Sequence, residues 1–136
     1  MGDFDEAFAS RIHLSLYYPA LDLESTKNVL KTNFKLIRDR MGKRGKKTVI
    51  DEGNILQFAV EYFHKHERAR WNGRQIRNAC LTALALAEHE HQQDSKKDPE
   101  GGIVLGRDQF EQVGEANLEF YLHREAVTGL DTEEWA

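Results

Sequence analysis

Four arginines crowd the stretch "HERARWNGRQIRNAC": Arg68, Arg70, Arg74 and Arg77. An Asn-Gly opening and apolar residues at Ile76, Ala79, Cys80 and Ala83 mark a helix start, with Asn72 as N-cap and Gln75 completing a capping box. Arg74 and Arg77 then fall in the first two turns. That end of a helix carries roughly half a positive elementary charge, so arginine there is disfavoured unless an anion sits opposite it. Guanidinium groups beside backbone N–H donors are suited to phosphate. Phosphate binding at Arg74 is the chemistry this spacing points to, ahead of any other residue group in the chain.

A second set of cations, Arg38, Arg40, Lys43, Arg44, Lys46 and Lys47, surrounds the loop "GKRGKK". A solvated charge run is the simple reading, with contact to nucleic acid or an acidic partner as the alternative. The loop imitates a phosphate-binding loop but fails the required spacing, because residue 40 is Arg and Lys47 stands where Ser or Thr is needed. "TVIDE" likewise imitates a magnesium-holding strand end, yet follows the basic loop with no intervening helix. Asp51 reads instead as a helix cap. The histidine pairs His64 with His66 and His89 with His91 have a spacing of two, whereas a metal site on a helix needs three or four. No Ser-His-Asp or Cys-His arrangement is present, so hydrolytic catalysis by this chain alone is unsupported. No metal is expected.

The elements that must position these groups follow from periodicity. "RIHLSLYYP" alternates as a strand over 12–18, closed by Pro19. Asp22 caps a helix with a stripe at Leu30, Phe34, Ile37 and Met41, ended by Gly42. The short run "TVI" leads into a second helix with a stripe at Leu56, Ala59, Val60 and Phe63. The third helix, Gly73 to about His89, is apolar on more than one side through Ile76, Ala79, Cys80, Leu81, Ala83, Leu84 and Ala87, which suits the centre of a bundle. "HQQDSKKDPEGG" reads as an exposed loop. "IVL" then precedes a fourth helix carrying Phe110, Val113, Ala116 and Phe120. The stretch from 123 to 136 has no sustained period and reads as a loosely held tail.

The two short runs could pair into a two-stranded patch. A lone strand at 12–18 has an unpaired ladder on both sides, so it must join them or belong to a sheet whose other strands lie elsewhere.

The chain has 136 residues, 40% of them apolar, and a formal net charge of −4. That is one domain's worth of core, and the acidic balance gives no general affinity for nucleic acid. One cysteine, Cys80, precludes an intrachain disulfide and suits a reducing compartment. The longest apolar run, "ACLTALALA", is too short to cross a bilayer, and the N-terminal residues do not resemble a signal. These features describe a soluble, untargeted intracellular chain.

Taken together, "GDFDEAFASRIHLSLYYPALD" and "WNGRQIRNA" resemble the C-terminal third of a AAA+ ATPase module. The first is similar to the segment that carries an arginine and the last core strand before a Tyr/Leu-Pro exit into the lid. The second is similar to the second-sensor helix, with Gly-x-Arg-x-x-Arg spanning Gly73 to Arg77. The wording resembles that of large fungal AAA-type ATPases over residues 2 to about 122.

The resemblance implies a mainly α fold: a four-helix lid-type bundle with one N-terminal strand. It divides the chain into the end of the ATPase core at 1–20, a helical lid at 21–122 and a tail at 123–136. Arg11 corresponds to the arginine finger acting on a neighbouring subunit's nucleotide, and Arg74 to the second-sensor arginine on the phosphates of its own subunit. Arg77 either supports that site or pairs with an acidic neighbour, the latter being simpler. The implied partners are the rest of the module and neighbouring copies in a homo-oligomer, with no membrane.

Walker A, Walker B and sensor-one residues are absent. ATP and Mg are therefore expected only in the complete ATPase, and the chain alone should not turn over ATP. The initial Met reads as an artificial start or a truncated gene model. Two rival readings are a stand-alone helical module binding nucleic acid through the basic loop and third helix, and an adaptor adding its strand to a partner's sheet.

Overall fold

In a computed structural model the described residues are 19–94 and 101–135, with side chains followed to 93 in the first stretch and to 123 in the second. The strand expected at 12–18 and Arg11 lie outside them. The described residues form four helices: α1 (Leu23–Lys43), α2 (Glu52–Lys65), α3 (Gly73–Asp94) and α4 (Arg107–Trp135). Two three-residue strands, β1 (Thr48–Ile50) and β2 (Ile103–Leu105), pair in parallel with Val49 opposite Val104. The fold is the mainly helical bundle with a two-stranded patch that the sequence predicts. A parallel pair needs a long crossover, here supplied by α2 and α3.

α1 begins at Asp22, whose carboxylate accepts the Ser25 backbone N–H at 2.7 Å. That bond holds the Asp22 carboxyl below its ordinary pKa. Leu30, Phe34, Ile37 and Met41 form the buried stripe, as their spacing requires. Gly42 does not end the helix. The helix ends one residue later at Lys43 and is closed beyond its cap, where Gly45 takes φ 69° and the Lys46 N–H reaches the Met41 carbonyl while the Gly45 N–H reaches that of Gly42. This pair of bonds is a Schellman cap, and it requires the left-handed backbone that glycine adopts without strain.

The buried face of α2 is Ile55, Phe58, Ala59 and Tyr62; of the expected stripe Ala59 belongs to it, while Leu56, Val60 and Phe63 are half-buried beside it. Both sets recur at helical spacing, so the sequence leaves two apolar faces to choose between. Packing selects the one that meets α1 and α4. Gly114 of α4 allows close approach here, since a Cβ at that position would lie 2.9 Å from the Phe58 ring.

α3 lies between α1, α4 and β2, and its inner face of Ile76, Ala79, Cys80, Ala83, Leu84 and Ala87 is buried. The alanines let neighbouring helices come near. Leu81 is 40% exposed and does not join the core. Burial pushes the Cys80 thiol up to about 12, so it is inert packing. α3 also runs five residues beyond His89, taking up the first part of the expected loop.

Phe34 and Phe110 meet edge to face at 6.4 Å in the centre of the core. Gln109, 5% exposed, is satisfied by Glu90 at 2.8 Å and by the Gly106 N–H, so the turn from β2 into α4 is tied to α3. Among the expected α4 positions, Phe110 and Val113 are buried while Ala116 is exposed and Phe120 is 64% exposed. Beyond Gly114 the inward face shifts to Leu118 and Tyr121, which are half-buried. The helix continues to Trp135 through the stretch that lacks an apolar period. Helix continuation needs backbone hydrogen bonds and tolerant residues, not a buried stripe. No helix among the described residues is long and apolar enough to cross a membrane.

Candidate functional site

The start of α3 is built from local and distant contacts together. The capping box forms in both directions: the Gln75 N–H donates to Asn72 Oδ1 at 2.8 Å, and the Asn72 N–H donates to Gln75 Oε1 at 2.9 Å. Just before the cap, Trp71 is 6% exposed and its ring lies 4.9 Å from that of Tyr62, which in turn meets the His66 ring at 4.7 Å. Burial raises the Tyr62 hydroxyl pKa. The Trp71 carbonyl accepts the Leu21 N–H at 3.1 Å. The segment leading into α1 is therefore fastened beside the first turn of α3, fifty residues away in the chain.

Arg74 stands in that first turn with its side chain exposed, and Arg77 is exposed one turn on. Among the described residues no carboxylate pairs with Arg77. Arg70 has a different task. Its Nε donates to the Phe63 carbonyl at 3.1 Å and its guanidinium lies 3.6 Å from the Phe63 ring centroid, so it clamps the end of α2 to the connection into α3. Arg68 is exposed in the single 3-10 turn Glu67–Ala69. The arginine cluster thus divides into one structural clamp and three exposed cations, two of them on the capped helix.

The basic loop is arranged otherwise. Arg38 pairs with Glu52 at 2.9 Å and Arg44 approaches Glu88 at 3.7 Å, while Arg40, Lys43, Lys46 and Lys47 are exposed. Its glycine serves the Schellman cap, not a phosphate cradle. A polar cavity of about 300 Å³ lies between Lys46, Lys47 and the end of α3 at Glu88 and His91. Asp51 stands at the cap position of α2, but its carboxylate accepts Asn54 Nδ2 at 2.6 Å instead of a backbone N–H. No group of three His, Cys, Asp or Glu side chains among the described residues is arranged to hold a metal ion.

Sequence reasoning did not find Trp71 as the anchor of this site or Leu21 as its distant partner. The available signal was a tryptophan directly before an Asn-Gly helix cap, a large residue where a polar loop is expected.

No curated protein and no solved structure matches the chain. A family model does, that of the fungal AAA+ ATPase lid domain, over residues 21–131. With the four-helix bundle and its parallel strand pair, that match means that the chain belongs to the fungal AAA+ ATPase lid domain family.

Proposed function

We propose that this lid closes over ATP in a AAA+ ATPase, with Arg74 as the second-sensor contact to the phosphates of its own subunit and Arg11 as the finger reaching a neighbour's. The observation that carries the reading is the exposed guanidinium of Arg74 on the first turn of a capped helix whose preceding residue is bonded to the lid's entrance at Leu21. An anion drawn to that turn pulls on the Trp71 carbonyl and hence on the segment about which a lid must turn. Movement of the lid relative to the core then follows phosphate occupancy.

The residues of α3 fit one part of a triphosphate site. They supply cationic charge and a helix N-terminus, the two features that favour phosphate oxygens. The phosphate cradle and the ligands for Mg are assigned to the rest of the module. When bound there, ATP supplies the phosphoryl group, and Arg74 stabilises charge developing on it in transfer. Arg77 lies one turn further from the capped end and is given a supporting role. The partners in this reading are the remainder of the module and neighbouring copies of the same chain in a homo-oligomer.

The test uses the complete ATPase. Arg74→Ala should lower turnover at least about tenfold, as loss of a positioned charge donor does, while the thermal midpoint of the lid stays unchanged. Arg11→Ala subunits should regain turnover when mixed with subunits that keep Arg11 but carry a defective Walker B carboxylate. Full turnover by Arg74→Ala, or no recovery on mixing, would overturn the respective assignment.

A further inference from the structure

A groove between the end of α2 and α4 has two unlike walls. The end of α2 and the 3-10 turn present Lys65 and Arg68, and across a cavity of about 370 Å³ α4 presents Leu118 and Leu122. Elsewhere on the surface Arg38 pairs with Glu52, Arg44 with Glu88, and Arg107 with both Glu61 and Glu111. Here neither Lys65 nor Arg68 has an ion-pair partner among the described residues, and Glu67 is the one carboxylate in the lining. Leu122 is 53% exposed on the opposite side. Two exposed cations thus face a wall made of half-buried Leu118 and exposed Leu122.

We propose that this groove docks an acidic amphipathic segment of a partner protein, its carboxylates toward Lys65 and Arg68 and its aliphatic or aromatic anchors on Leu118 and Leu122. The charge pattern selects that chemistry. A purely apolar segment leaves the two cations uncompensated, and a nucleic-acid strand sets phosphates against leucine and against Glu67. An acidic helix with anchors at i and i+4 satisfies both walls at once. A smaller cavity shares Arg68, Ala69 and Tyr121 with the groove and reaches Trp71 and Gln75, so an occupant abuts the turn that holds the start of α3. The inference does not depend on nucleotide binding at Arg74.

The probe is a short fluorescein-labelled peptide of glutamates with leucines at i, i+4 spacing, titrated against the 136-residue chain by anisotropy. Saturable binding is expected, weakened at least about tenfold in K65E/R68E, since reversing charges across an interface adds repulsion to the lost attraction. The reversed protein should prefer a probe with lysines in place of glutamates, which excludes misfolding as the cause of the loss. Leu122→Ser, at an exposed position, should weaken binding severalfold without altering charge. Absence of saturation, equal affinity in K65E/R68E or in Leu122→Ser, or equal competition by a single-stranded oligonucleotide would each overturn the proposal.

Discussion

The starts of α1 and α3 are both capped, yet electrostatically they are opposites. α1 has an ionised Asp22 at its cap and Glu24 in the first turn, so its positive end is neutralised from within. α3 has a neutral Asn72 and no acid in the first turn, with Arg74 there instead. Glu52 and Asp108 give α2 and α4 the same internal compensation as α1. The contrast teaches that the start of α3 carries none of the first-turn acid found on the other three helices, and that the buried Trp71 ring against Tyr62 fastens it to the core. In the proposed function the missing negative charge arrives with the nucleotide.

The comparison breaks first at Trp71. Trp71→Ala removes the buried ring against Tyr62 and should destabilise the domain by about 3–5 kcal/mol, measured by urea denaturation. A cost similar to that of an exposed substitution would show that packing does not hold the α3 start. Asn72→Ala comes next, with a loss of about 1 kcal/mol from the missing cap. Asn72→Asp tests the charge itself. Converting α3 to the α1 pattern should stabilise the isolated domain by about 0.3–1 kcal/mol, while in the complete ATPase it should weaken ATP binding through repulsion of phosphate. Tighter ATP binding by that variant would contradict an anion at Arg74.

The smallest effect concerns pH. The Ser25 N–H bond lowers the Asp22 pKa from its ordinary 3.8, so the ionised cap favours the folded state. Its contribution is complete above about pH 4 and declines as pH falls through the lowered native value. Asp22→Asn should flatten this part of the acid limb of a denaturation profile. Asn72 titrates nothing, so substitutions at the α3 cap should leave that limb unchanged.

Legibility in the sequence followed the range of the interaction. The Asn72–Gln75 box and the Asp22 cap join residues three apart, and both were readable because three residues of helix fix their geometry. The stripe of α1 was readable because one face alone is apolar. On α2 two faces are apolar, and the choice between Tyr62 and Phe63 depended on α4, whose Gly114 admits the Phe58 ring. Arg70 and Arg74 look equivalent four residues apart. Only the Phe63 ring and carbonyl, brought back by the turn after α2, turn Arg70 into a clamp.

By itself the sequence determined where helices start, how their apolar residues recur and that α3 begins with cations and no acid, since these are set by neighbours within a turn or two. Tertiary structure decided which α2 face is buried, which arginines are committed to Phe63, Glu52 or Glu88, and that Leu21 is bonded to Trp71. Those outcomes rest on groups distant in the chain that meet only once the core of Phe34, Phe110 and the α3 alanines has closed. Spacing along a chain fixes what a residue can do, and packing fixes what is left for it to touch.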